Sequence, residues 1–120
     1  MRQRLHRATF ALLITLCACG GGTGELGEVD PEAAPATPTY TAHVGPIMDR
    51  YCTACHAADA QPGPLEGLDY STCSGVRRGW GGVLETVIFT ETMPPGGAER
   101  VTSSDQLTLE RWHAQGAACD

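Results

Sequence analysis

Cys52, Cys55 and His56 form the pattern C-x-x-C-H, in the stretch Cys52-Thr53-Ala54-Cys55-His56, and no other residues of this 120-residue chain point so narrowly to one chemistry. Cysteines three apart lie on one side of a helical turn, so both thiols reach the two vinyl-bearing edges of a single porphyrin. The adjacent His56 then sits under the iron and supplies a neutral imidazole as one axial ligand. The pattern marks the covalent attachment of one c-type haem. Two other chemistries use a C-x-x-C pair. Zinc wants four ligands, and no second C-x-x-C or paired H-x-x-x-H follows. A thioredoxin-like redox pair sits in a βαβ pattern, which the flanking sequence lacks.

A second axial ligand has to come from elsewhere in the chain. Once Met1 is set aside, two methionines remain, Met48 and Met93. Met48 lies on the helix that carries the cysteines and cannot reach the opposite face of the porphyrin. Met93 can: it opens the turn Met93-Pro94-Pro95-Gly96-Gly97, 37 residues after His56, and its thioether is a soft ligand suited to low-spin iron. A lone methionine is more commonly core filler, but one that starts a Pro-Pro-Gly-Gly turn has little core to fill. His43 and His113 are the other candidates for a distal ligand, and both read as surface histidines.

The elements that must position these ligands are helical. Pro46 at a first helical position, with Val44, Ile47, Met48, Tyr51, Cys52 and Cys55 at three-four spacing, predicts an amphipathic helix running into the cysteine motif. Residues 57–68 carry Pro62, Gly63, Pro64 and Gly67 and read as a loop around the haem edge, with Leu65 and Leu68 as its apolar contacts. Val76, Trp80, Val83, Leu84, Val87 and Ile88 share one helical face. Gly79, Gly81 and Gly82 each cost roughly 1 kcal/mol inside a helix, so the second helix is expected to start near Gly82. The β-branched run 86–90 leaves a strand as the alternative. Arg77, Arg78 and Trp80 are candidate donors to a haem propionate. Ser103-Ser104-Asp105-Gln106 resembles a capping box and Gly116 a stop, which predicts a third helix over 104–115.

The chain start reads as an export address. Arg2, Arg4 and Arg7 form a positive region, and the apolar run 8–16 is too short to span a bilayer. Leu16-Cys17-Ala18-Cys19 resembles the lipobox of bacterial lipoproteins. That resemblance implies a signal peptide over 1–18, lipid chains on Cys19 as the first mature residue, and, from Gly20 behind it, sorting to the outer membrane. Ordinary cleavage leaving a free Cys19 is the alternative. Residues 19–38 are rich in glycine, proline and acidic groups and cannot bury enough apolar surface to offset their ordering entropy. They are expected to be a disordered tether, leaving residues 39–120 as the folded domain.

Charge and cysteine usage narrow the partners. Without the three leading arginines, Arg50, Arg77, Arg78, Arg100 and Arg111 face 14 carboxylates, so 5 minus 14 gives −9. A nucleic-acid backbone or an anionic lipid surface needs a basic footprint that is absent here. The chain has no lysine, so a redox partner protein would meet an acidic surface or an apolar haem edge. Of six cysteines, Cys17 leaves with the signal, Cys19 is lipidated, and Cys52 and Cys55 hold haem. Cys73 and Cys119 remain, and in an oxidising compartment they most simply form one disulfide, two separate thiols being the alternative. A domain this small needs such a crosslink or a cofactor to be stable.

Taken together, C-x-x-C-H, the Met-Pro-Pro-Gly-Gly turn and a terminal helix with Leu109-x-x-Trp112 closing on Gly116-Ala117 resemble the class I cytochrome c family over residues 40–117. More narrowly they look like the small cytochrome c-like domains of bacterial lipoproteins. The resemblance implies an all-α domain, with about three helices and long loops around one covalent haem. The last helix would cross the first, with Trp112 against Ile47 or Tyr51. It also implies that a proline carbonyl, here in Gly63-Pro64-Leu65, accepts from the proximal histidine. The expected function is a periplasmic, membrane-anchored electron carrier with His56 and Met93 on the iron. No carboxylate pair, nucleophile with base or phosphate loop suggests catalysis on a substrate. The alternatives are a five-coordinate haem sensor or peroxidase-like domain, and a haem-stabilised structural subunit of a respiratory or surface complex.

Overall fold

The computed structural model describes residues 33–61 and 68–120. The signal peptide, Cys19, most of the expected tether, and Pro64 and Leu65 lie outside the described residues. The architecture is all-α, with no strand among the described residues.

The first helical run starts earlier than Pro46. Thr39 caps it, its hydroxyl accepting from the Ala42 N–H at 3.4 Å while its own N–H donates to His43 Nδ1 at 3.1 Å. A wide, π-type turn over Tyr40–Val44 then passes without a break into α1, Gly45–Tyr51, where Pro46 sits in the first turn. Cys52 departs from helical geometry (φ −121°), and a single turn, α2, Thr53–His56, carries the rest of the cysteine motif.

α3 spans Cys73–Val83 and continues as wider turns over Leu84–Phe89. One expectation is thereby overturned, since the helix does not wait for Gly82; the helical reading of 86–89 holds over its strand alternative. The reason is tertiary. At Gly75 a Cβ would meet the Asp69 carbonyl oxygen at 1.8 Å, and at Gly79 it would meet the Tyr70 ring at 2.4 Å. The glycines let segment 69–70 lie directly on the helix, and Tyr70 O–H donates to the Gly79 carbonyl at 3.3 Å across that contact. Burial of Tyr70 outweighs the propensity cost. Gly75→Ala should therefore destabilise the domain by about 1 to 3 kcal/mol, read from the urea midpoint, since the clash is with backbone.

α4 runs over Ser103–Ala114, one residue from its expected start, with Thr102 as the cap whose hydroxyl accepts from the Asp105 N–H at 3.1 Å. Gly116 at φ 99° ends it, where only glycine is unstrained. Val44, Ile47, Met48, Val76, Trp80, Val83, Leu109 and Trp112 form one core shared by the three helical runs. Trp112 lies at its centre, but its aromatic neighbours are Tyr40 at 6.0 Å and Trp80 at 6.3 Å rather than Tyr51. α4 thus packs on the opening turns of the first run, upstream of where the expected helix crossing would fall.

Covalent and polar ties close the ends. Cys73 and Cys119 are disulfide-bonded, with a Cα separation of 5.8 Å, joining the start of α3 to the chain end. Thr41 binds Asp120 through its N–H and hydroxyl, both at 3.1 Å. Ala34, Pro35 and Ala36, in the stretch read as tether, accept hydrogen bonds through their carbonyls from Arg111 (2.6 and 3.2 Å) and Gln115 (2.7 Å) of α4.

Candidate functional site

The two turns of the cysteine motif, the middle of the second helical run and the loop after it enclose a cavity of about 290 Å³. Cys52, Cys55 and His56 line one part of it and Met93 another, with Leu68, Tyr70, Val83, Val87 and Pro94 giving it an apolar wall. Four groups named from sequence, separated by up to 41 positions (93 minus 52), therefore face one space. Met48 is excluded from it: the side chain is 1% exposed and belongs to the core. His43 is engaged with Thr39, and His113 stacks on Trp80 with ring centroids 4.4 Å apart. Neither borders the cavity. Nor do Arg77, Arg78 or Trp80, whereas Arg50, at the end of α1, does border it.

His56 is held from behind. The Tyr70 N–H donates to the His56 carbonyl at 2.6 Å, and the Tyr70 ring lies 5.3 Å from the imidazole, tilted by 55°. Its Nδ1 is buried without a hydrogen-bond partner among the described residues. A buried unpaired imidazole nitrogen costs about 1 to 3 kcal/mol, so its retention needs a reason. Ligation of a metal through the other nitrogen would fix the proton on Nδ1 and make that atom a donor in want of an acceptor. Pro64, the expected acceptor for that proton, lies outside the described residues.

Cys52 is pushed up to about 11 by burial in the apolar wall. That is the reverse of a reactive redox pair, whose thiolate is stabilised. Before any thioether forms, Cys52 should carry about a hundredfold less thiolate than an ordinary cysteine at the same pH. Its alkylation by iodoacetamide in cofactor-free protein should slow accordingly, and should accelerate only as the pH approaches 11. No three of His, Cys, Asp and Glu gather into a metal-binding group among the described residues.

Met93 sits in an irregular loop rather than on a helix. Its N–H donates to the Thr86 carbonyl at 2.9 Å, folding the loop back on the last turns of the second helical run. The Met93–Pro94 bond is cis, and the side chain is 37% exposed at the cavity rim. On the same rim Arg50 Nε donates to Glu99 Oε2 at 3.3 Å and a second guanidinium nitrogen bonds the other carboxylate oxygen, tying α1 to the Met93 loop. The pair is exposed, so it orients more than it stabilises.

Tyr70, Arg50 and Arg100 are site residues that sequence reasoning missed. Tyr70 had a signal: an isolated aromatic beside a helix with glycines four apart at Gly75 and Gly79 marks a close approach. Apolar walls, two thiols, an imidazole with an orphaned nitrogen and a thioether on the same cavity fit a c-type haem. Comparisons with protein-family models, curated proteins and solved structures found no match.

Proposed function

We propose that the protein is a haem-bearing electron carrier of the class I cytochrome c type, exported and lipid-anchored at Cys19, with Cys52 and Cys55 as the attachment sites. The observation that carries this reading is the convergence of Cys52, Cys55, His56 and Met93 on one apolar cavity. A bound haem iron supplies one-electron redox chemistry. The chain's part is to hold His56 and Met93 so that the coordination changes little between the two charge states, and to keep water from the apolar wall. The thioether favours the lower charge and hence a relatively high potential. The acidic surface and the absence of lysine direct the reading toward a redox partner that is basic or docks by apolar contact.

One observation favours the second reading, a five-coordinate sensor or peroxidase-like domain: Met93 is more than a third exposed on the rim rather than locked in the core. The two are separated by adding carbon monoxide to the ferrous protein: the gas binds tightly where a coordination position is open and weakly where it must displace a thioether. The primary test is the colour and intact mass of the full chain after export. One added tetrapyrrole, with Cys52 and Cys55 both blocked to alkylation, is the expected result. A colourless protein of unmodified mass with two free thiols overturns the assignment.

A further inference from the structure

The geometry points to Arg100 as the positioning residue that holds Met93 at the cavity, an inference that rests on the His56/Met93 ligation proposed above. Two carbonyls bracket Met93 in sequence, those of Glu91 and Pro94. The Arg100 guanidinium donates from Nη1 to both, at 2.9 Å for Pro94. Glu91 takes a left-handed backbone (φ 50°), which a non-glycine residue keeps only when its surroundings fix it.

A second feature shows what the clamp prevents. Met93 and Val87 border both the apolar cavity and a small polar one of about 170 Å³, which Glu91, Arg100, Ser103 and Gln106 also line. Met93 is thus the partition between a space suited to a porphyrin and a space suited to water. Gln106 Nε2 holds the Val87 carbonyl on the same partition at 3.3 Å. Without the clamp, the tie left on Met93 itself is its N–H to Thr86. The thioether is then free to swing toward the polar side and open the iron. Both charge-assisted bonds leave Nη1, so the clamp depends on reach and charge, and a lysine ammonium on its shorter stem can make it only in part.

The test uses the full-length haem-loaded protein and three variants, Arg100→Gln, Arg100→Lys and Arg111→Gln. The last removes a guanidinium that also grips two carbonyls, at Ala34 and Pro35, far from Met93 in sequence. Three signals are read: the far-red charge-transfer band of the ferric protein, carbon monoxide affinity of the ferrous protein, and amide exchange over 91–97. R100Q should lose most of the band, bind carbon monoxide about tenfold more tightly, as loss of one charge-assisted hydrogen bond implies, and exchange faster over 91–97. R100K should fall between R100Q and wild type, and R111Q should match wild type.

Wild-type behaviour of R100Q in all three signals overturns the inference, as does an equal effect in R111Q, which would mark general loosening. If R100Q does not fold, R100K decides alone, and carbon monoxide affinity equal to wild type sinks the clamp. A wild-type protein that lacks the far-red band defeats the ligation reading instead. The exchange signal then still decides whether Arg100 fixes the loop.

Discussion

Replacing Met93 with leucine should abolish the far-red charge-transfer band of the ferric protein and raise the carbon monoxide affinity of the ferrous protein. Leucine has nearly the volume of methionine and no sulfur, so the change removes the donor and little else. The rim position supports a clean result: with 37% of the side chain exposed, the packing loss should stay below about 1 kcal/mol. The reduction potential should fall by on the order of 0.1 V, part of the roughly 0.8 V span that axial ligation covers. Absorption spectroscopy and a redox titration of the purified variant check all of this. A variant that keeps its band would remove Met93 from the iron.

Trp112→Ala should be the most damaging single change to the fold. The side chain is 1% exposed, touches Tyr40 and Trp80, and its Nε1 donates to the Ala118 carbonyl at 3.0 Å. Truncating a buried tryptophan costs about 3 to 5 kcal/mol. A domain of this size holds only about 4 to 12 kcal/mol in total, by the usual allowance of roughly 0.05 to 0.15 kcal/mol per residue. The urea midpoint should therefore drop by about a quarter or more at unchanged slope. Trp112 does not border the cavity, so the folded fraction should keep the wild-type absorption spectrum. A midpoint shift worth less than about 1 kcal/mol would mean that the centre of the core has been misplaced.

How much of this was legible beforehand depended on whether the governing interaction is local. C-x-x-C-H is a one-turn device, so its place at a helix end was legible in spacing alone; Met93, preferred over Met48 in the sequence, lines the same cavity, while Met48 belongs to the core. The class of the fold followed from apolar periodicity. The glycines of α3 misled because propensity speaks for an isolated helix, whereas their use here is to admit Asp69 and Tyr70 at distances a Cβ would forbid. Arg100 left no pattern at all. Its acceptors are main-chain carbonyls, which every residue possesses, so no partner residue type records the contact. The capping of the first run by Thr39 was overshadowed by Pro46, a stronger but later signal of helix entry.

The fastening of Ala34, Pro35 and Ala36 to the last helix sets a limit on where the protein can work. With the lipid of the proposed reading on Cys19, 34 minus 19, or 15 steps of chain, separate it from Ala34, a contour of at most about 50 Å. Had the chain been loose as far as Thr39, that standoff would be a third longer. On that reading the domain would be confined to a shell at most this high above the bilayer, and a redox partner would have to present itself within the same height.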